Sequence, residues 1–238
     1  MVQDGFLERE ILVAGARHAY RVRAPRGGAR RAPVLLFLHG AGERGGDNAR
    51  QLENGLPPQV MASPDDWPFV VVAPQCPADL YWPQPPALAL ALAALEDAVV
   101  ALAADGGRVA VTGVSMGGYG SLELGVCRPG RFAALAVVCG GVGAVPAIPD
   151  LHAHQVLAAG ASEVHAETAR RLGDVPVWLF HGADDGLVPV EESRRLAAAL
   201  RAAGGDVRYT EYPGVQHDCW VRAYAEPELA GWLREKLA

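Results

Sequence analysis

The pentapeptide Gly113-Val114-Ser115-Met116-Gly117 sets a serine between two glycines at the end of a short apolar run, Arg108-Val-Ala-Val-Thr112. The run reads as a buried strand, and Gly118–Val126 after it reads as the start of a helix. A strand, a sharp turn and a helix would hold the Ser115 hydroxyl at a strained, exposed tip above a sheet. Side chains two before and two after the serine would collide in that turn, which accounts for glycine at both places. The helix N-terminus behind it favours negative charge developing on a bound acyl group. The same five residues also suit an ordinary strand-to-helix connection, so the rest of the chain has to decide.

A serine hydroxyl is a poor nucleophile without a base, and the base needs an acid to orient it. In this layout the expected chain order is Ser, then Asp or Glu, then His. Two carboxylates follow the apolar strand Val177–Phe180, in His181-Gly-Ala-Asp-Asp-Gly-Leu-Val-Pro189. Asp185, deep in that loop, is the favoured acid, and Asp184 suits an Asx-type turn. His217, in Tyr212-Pro-Gly-Val-Gln-His-Asp-Cys-Trp220, is the only histidine after them and is the expected base.

An oxyanion hole needs two backbone N–H groups. Met116 would supply one. Ala41 would supply the other, from the glycine-rich loop His39-Gly40-Ala41-Gly42-Glu43-Arg44-Gly45-Gly46. That loop lacks the Gly-Lys-Ser/Thr ending of a phosphate-binding P-loop. Glu43 and Arg44 either pair and brace the loop, or Arg44 meets an acidic substrate group. Trp82 and Trp220 are candidates to line an apolar or aromatic acyl pocket. Trp82 fits ordinary packing beneath a loop equally well, and Trp178 and Trp232 read as core.

These groups need a scaffold. Residues 5–24 hold two alternating runs around Gly15, the pattern of an antiparallel hairpin with one solvated face. From Pro33 onward the apolar runs become continuous: 33–38, 69–73, 133–138 and 175–180. Continuous runs mark strands buried on both faces, as in a parallel sheet, while 206–212 alternates like an edge strand. Helical stretches fall between them, at about 87–104, 117–127, 191–203 and 221–236. The expected fold is therefore α/β, a doubly wound, mostly parallel sheet of about eight strands with helices on both faces. No linker or repeat divides the 238 residues, so a single domain is expected. The least regular stretch, about 141–173, reads as a small helical insertion, either a lid or an ordinary connection.

Composition excludes several classes. A net charge of −6 leaves no footprint for nucleic acid. The most apolar long segment, 87–104, is alanine-rich and carries Glu96 and Asp97, so it reads as a packed helix and not a membrane span. No signal peptide is visible, and a cytoplasmic location is expected. Four cysteines, at 76, 127, 139 and 219, form no Cys-x-x-Cys pair. Cys127 and Cys139 read as buried thiols, and Cys76 and Cys219, both in loops, leave a disulfide open. His152 and His154 lack a nearby carboxylate partner, so no metal is expected.

Taken together, four segments carry a resemblance. They are Leu36-Phe-Leu-His-Gly-Ala-Gly-Glu-Arg-Gly45, Val71-Val-Ala-Pro-Gln-Cys-Pro77, Thr112-Gly-Val-Ser-Met-Gly-Gly-Tyr-Gly120 and His217-Asp-Cys-Trp220. From about residue 30 onward the chain resembles the α/β-hydrolase superfamily. Within it, the chain is similar to bacterial esterases described as predicted peptidases, and to phospholipase/carboxylesterase, dienelactone hydrolase and polyhydroxybutyrate depolymerase-like families. The resemblance implies a Ser115–Asp185–His217 triad and no cofactor. The nucleophile here is serine, where dienelactone hydrolases proper use cysteine, and 141–173 is longer than expected for the group.

The expected activity is that of a serine carboxylesterase on small-molecule esters of short or medium acyl chain, with aromatic acyl groups second. A short-peptide peptidase, an acyltransferase and a non-catalytic binding protein of the same fold are the alternatives.

Overall fold

The computed structural model describes residues 2–3, 5–145, 148, 151–158, 160 and 162–238. Its first strands are β1 (Val2–Gln3), β2 (Phe6–Val13) and β3 (Ala16–Arg23). A two-residue turn, Ala14-Gly15, joins β2 to β3 with both residues at positive φ, 49° and 84°. That conformation matches the twist of an antiparallel hairpin, and glycine adopts it freely.

The remaining strands are β4 (Val34–Leu38), β5 (Val70–Pro74), β6 (Val109–Val114), β7 (Ala134–Val138), β8 (Val177–Gly182) and β9 (Val207–Tyr212). They join the hairpin in one sheet of order β1-β2-β3-β5-β4-β6-β7-β8-β9. Pairing is antiparallel from β1 to β5 and parallel from there to β9. Strands β4 to β8 are buried at every position, and β9 at the edge is only half-buried. The very short β1 brings the count to nine where about eight were expected.

The helices are α1 (Leu56–Ala62), α2 (Pro85–Leu102), α3 (Met116–Cys127), α4 (His154–Ala158), α5 (Val164–Leu172), α6 (Glu191–Ala202), α7 (Trp220–Tyr224) and α8 (Pro227–Lys236). Alternate residues of each strand feed two cores. Leu36 and Leu38 meet α2, α3, α5 and α6 through Leu90, Leu122, Leu172 and Leu196. Leu35 and Phe37 meet α1, α7 and α8 through Leu56, Tyr224 and Trp232 on the opposite side. Each such side chain removed from water contributes roughly 1.5–3 kcal/mol before the entropy of ordering is subtracted.

Two sequence expectations change, and a third point left open is answered. The single helix expected over 221–236 is two, because Pro227 cannot continue the helix begun at Trp220 and instead starts α8 at its first position. Helix α1 was not expected at all. Its two prolines sit in the first turn, where missing N–H groups cost nothing. Cys76 and Cys219 are both free thiols, buried in the two cores on opposite faces of the sheet.

Helix α2 is long and apolar enough to cross a membrane by length and composition. Here it lays Ala87, Leu90, Ala91, Ala94, Leu95 and Ala98 against the sheet. Segment 141–173 contributes α4 and α5, which pack against α3 and α6. Residues 146, 147, 149, 150, 159 and 161 of that segment, expected to form a small helical insertion that is either a lid or an ordinary connection, lie outside the described residues.

Candidate active site

Ser115 is the single residue between β6 and α3, with φ 54° and ψ −116°. Few L-residues occupy that region, and the local strain costs on the order of 1–3 kcal/mol. The turn holds because the glycines on either side let backbone approach backbone. A Cβ on Gly117 would run into the Leu38 and His39 carbonyls, and one on Gly113 would run into Gly117 itself. The Ser115 N–H donates to the Val138 carbonyl at 2.8 Å, tying the turn to β7.

The loops after β8 and β9 converge on this serine. Gly182 lets them meet: a Cβ there would collide with the Val215 and Gln216 carbonyls. The Ala183 and Asp184 N–H groups donate to the Tyr212 and Val215 carbonyls, each at 3.0 Å. His217 is thereby carried to within 2.9 Å of the Ser115 Oγ through Nε2, and within 2.7 Å of Asp185 Oδ2 through Nδ1. A carboxylate only accepts, so Nδ1 carries the proton and Nε2 is left to accept from the serine hydroxyl. The structure thus brings Ser115, His217 and Asp185 into one hydrogen-bonded line, with Asp184 exposed beside it.

The Asp185 side chain is fully shielded from solvent. Its Oδ1 accepts the Leu187 and Val188 N–H groups at 2.9 Å each. Burial works against its charge, but hydrogen bonds from His181 and His217, with the backbone donors, outweigh it and hold the carboxyl well below the usual range. His181 is a buried support missed from the sequence. Its Nε2–H faces the Val188 carbonyl at 3.0 Å and Asp185 Oδ2 at 3.2 Å, while its Nδ1 accepts from Ser193 at 2.7 Å.

Ala41 and Met116 both open helical turns, a 3-10 turn over Ala41–Glu43 and α3. The first N–H of such a turn has no acceptor within its own helix. His39 braces the Ala41 loop and was likewise unread. Its Nδ1–H donates to the Gly40 carbonyl at 2.6 Å, and its Nε2 accepts the Cys76 N–H at 2.9 Å. Burial pushes the His39 imidazole down to about 4, so it is neutral in this role.

Trp82 does not line a pocket. It is completely buried beside α2, and its indole N–H donates to the His39 carbonyl at 3.0 Å. A buried indole seeks an acceptor for its N–H, and the carbonyl entering the Ala41 loop provides one. Glu43 and Arg44 do not pair with each other. Arg44 donates to the Ala41 and Leu80 carbonyls at 3.1 and 3.3 Å and lies over the Tyr81 ring, while Glu43 accepts from Asn54.

A cavity of about 200 Å³ opens over Ser115. Phe37, Val114, Leu187 and Trp220 give it apolar walls, the Gly40–Glu43 turn forms one side, and Asn54 completes it. Trp220 meets His217 edge-on, with ring centroids 5.8 Å apart. Among the described residues of 141–173, none lines this cavity. Among the described residues, no cluster of three or more His, Cys, Asp or Glu could hold a metal, and His152 and His154 stack with ring centroids 4.3 Å apart.

Residues 91–238 match the prolyl oligopeptidase family. The chain is 34% identical over 128 residues to the esterase YjfP of Escherichia coli K12, an alignment covering 46% of this chain and 50% of that protein. It superposes on the crystal structure of a thermostable esterase with a TM-score of 0.81 at 32% identity, over 98% of this chain and 63% of the other. A ferulic acid esterase of 18% identity shares the fold, with a TM-score of 0.71 over 97% of this chain and 98% of its own. The matches to the first two thus span about half and under two thirds of those proteins' own lengths.

Proposed function

The chain belongs to the prolyl oligopeptidase family, and we propose that it is a serine carboxylesterase of short- to medium-chain acyl esters. The observation that carries this reading is the continuous line Ser115 Oγ–His217 Nε2 at 2.9 Å and His217 Nδ1–Asp185 Oδ2 at 2.7 Å. His217 takes the Ser115 proton as Oγ attacks the ester carbonyl. The carbonyl oxygen gains charge, and the Ala41 and Met116 N–H groups hold it. Asp185 stabilises the imidazolium. His217 then gives its proton to the departing alkoxide, and water, activated the same way, releases the acid and frees Ser115. Every proton moves between these groups, so the chemistry needs no cofactor.

The cavity of about 200 Å³ supports a small acyl group. Its Trp220 wall also suits an aromatic acyl group. An acyltransferase would use the same acyl-enzyme with another acceptor in place of water. The family match favours amide cleavage in short peptides as a second reading. Esters are preferred on leaving-group grounds, since an alkoxide departs more easily than an amide ion. A cytoplasmic location belongs to the same proposal and is checked by cell fractionation.

The test is hydrolysis of p-nitrophenyl esters from acetate to palmitate, beside short peptidyl p-nitroanilides, by wild type and Ser115→Ala. Turnover peaking at short chains and vanishing in the variant is expected. Cleavage of the anilides alone would replace the esterase reading with the peptidase one. No turnover of either would leave transfer or binding.

A further inference from the structure

The acyl cavity is not uniformly apolar, and its polar part has no task in the triad chemistry. Glu43 lies on its wall with only 15% of its side chain exposed. Its Oε1 accepts from Asn54 Nδ2 at 2.9 Å. Its Oε2 is 3.9 Å from His39 Nδ1, too long for a hydrogen bond, and that ring proton is already given to the Gly40 carbonyl at 2.6 Å. The Glu43 main chain is held in place as well. Gln75 Nε2 donates to the Glu43 carbonyl and to Asp47, both at 3.0 Å. The carboxylate keeps acceptor capacity at Oε2, which stands beside Gly40, 3.0 Å from where a Cβ on that glycine would lie, on the wall of the cavity it shares with Phe37, Val114 and Trp220.

An all-alkyl acyl group would strip water from that carboxylate and return nothing. An acyl group with its own donor would replace the lost water. We propose, resting on the esterase reading, that Glu43 with Asn54 determines specificity by selecting short acyl groups that carry a hydrogen-bond donor, a hydroxyl or an ammonium. A site built to bond a donor rejects the isostere lacking it far more strongly than an apolar pocket rejects an extra methylene. An acyl group carrying a carboxylate would be disfavoured by like charge.

The test uses p-nitrophenyl esters: butyrate, 3-hydroxypropanoate and 3-ammoniopropanoate, matched in size at the chain end, and the bulkier, charge-reversed hemisuccinate. The readout is the ratio of kcat/KM between esters for one enzyme, which cancels any general loss of catalytic power. Wild type should favour the hydroxyl and ammonium esters over butyrate by about tenfold or more. Hemisuccinate should be slowest. Glu43→Gln keeps an acceptor oxygen and loses the charge, so it should keep the hydroxyl preference and lose the discrimination between ammonium and hemisuccinate. Glu43→Ala should bring the hydroxyl-to-butyrate ratio to about one. Glu43 acting only as a brace of the Ala41 loop would change all four esters alike and leave every ratio as in wild type, which overturns the proposal. Wild-type ratios near one, with butyrate turned over well, overturn it too and leave the esterase reading standing. Turnover of none of the four overturns both.

Discussion

His181 Nε2 stands 3.2 Å from Asp185 Oδ2, the same oxygen that accepts from His217 Nδ1 at 2.7 Å. One carboxylate oxygen is thus shared between a buried scaffold histidine and the proposed base, with the other oxygen filled by two backbone donors. Asp185→Asn should lower kcat by about 10⁴-fold, because an amide stabilises the wrong tautomer of His217. His181→Phe should have a smaller effect on kcat, about tenfold, and should also destabilise the fold by about 1–3 kcal/mol through the unpaired Ser193 and Val188 groups it leaves. Urea unfolding and steady-state kinetics on both variants separate the two effects.

Ser115 sits at φ 54° because the turn demands it. Glycine adopts that conformation without strain, so Ser115→Gly should raise stability by about 1 kcal/mol while abolishing ester turnover. Ser115→Ala should lose turnover to a similar extent, on the order of 10⁶-fold, and gain no stability from backbone relief. Thermal melts of the three proteins side by side give the answer, and a Ser115→Gly protein less stable than Ser115→Ala would count against stored strain in the turn.

Acid should weaken the protein through His39. Its folded value is pushed down to about 4, against about 6.5 for an unperturbed imidazole. Between those values the unfolded chain binds a proton that the folded one refuses. Stability is therefore intact above about pH 6.5 and falls progressively as pH drops to 4, by up to about 3 kcal/mol. Denaturant midpoints measured from pH 8 to 4 should show this slope, and His39→Asn should flatten it.

Glu192 acts in the same direction further into acid. Burial opposes its ionisation, but His165 and the Gly143 and Val142 N–H groups hold its carboxyl down to about 2. Its folded value lies below that of an exposed glutamate, about 4.3, so its contribution is present above that pH and is lost as pH falls towards 2. Glu192→Ala should cost about 2–4 kcal/mol at neutral pH by leaving those N–H groups unpaired. Hydrogen exchange at Val142 and Gly143 should quicken in the variant.

The two tryptophans should behave differently. Trp82→Phe removes the hydrogen bond to the His39 carbonyl and should cost about 1 kcal/mol of stability without moving the acyl-chain optimum. Trp220→Ala widens the cavity and should shift that optimum to longer chains. A shifted optimum in Trp82→Phe would contradict its place in the core.

What the sequence reveals here follows from how local each constraint is. Gly113 and Gly117 announce the turn because its collisions involve neighbouring residues, and the order of Ser115, Asp185 and His217 follows from which strand each loop leaves. Trp82 was open to misreading because its partner, the His39 carbonyl, is 43 positions away and unrelated by any spacing. Glu43 and Asn54 are visible as polar residues in loops, but their meeting depends on the path between β4 and α1. His39 and His181 did leave a signal. Each is followed by glycine at the end of an apolar parallel strand, in Phe37-Leu-His-Gly40 and Leu179-Phe-His-Gly182. In both, the imidazole turns inward and bonds backbone carbonyls that a hydrophobic side chain would leave unmet.

Ser115 and His217 are 102 positions apart in the chain, yet their reacting atoms lie 2.9 Å apart. No local segment can hold that distance, since it exists only while β6, β8 and β9 keep their places in one sheet. On the proposed reading, turnover is therefore a gauge of the whole molecule. As denaturant rises, rate and circular dichroism should fall along one curve, and any ester assay doubles as a folding assay.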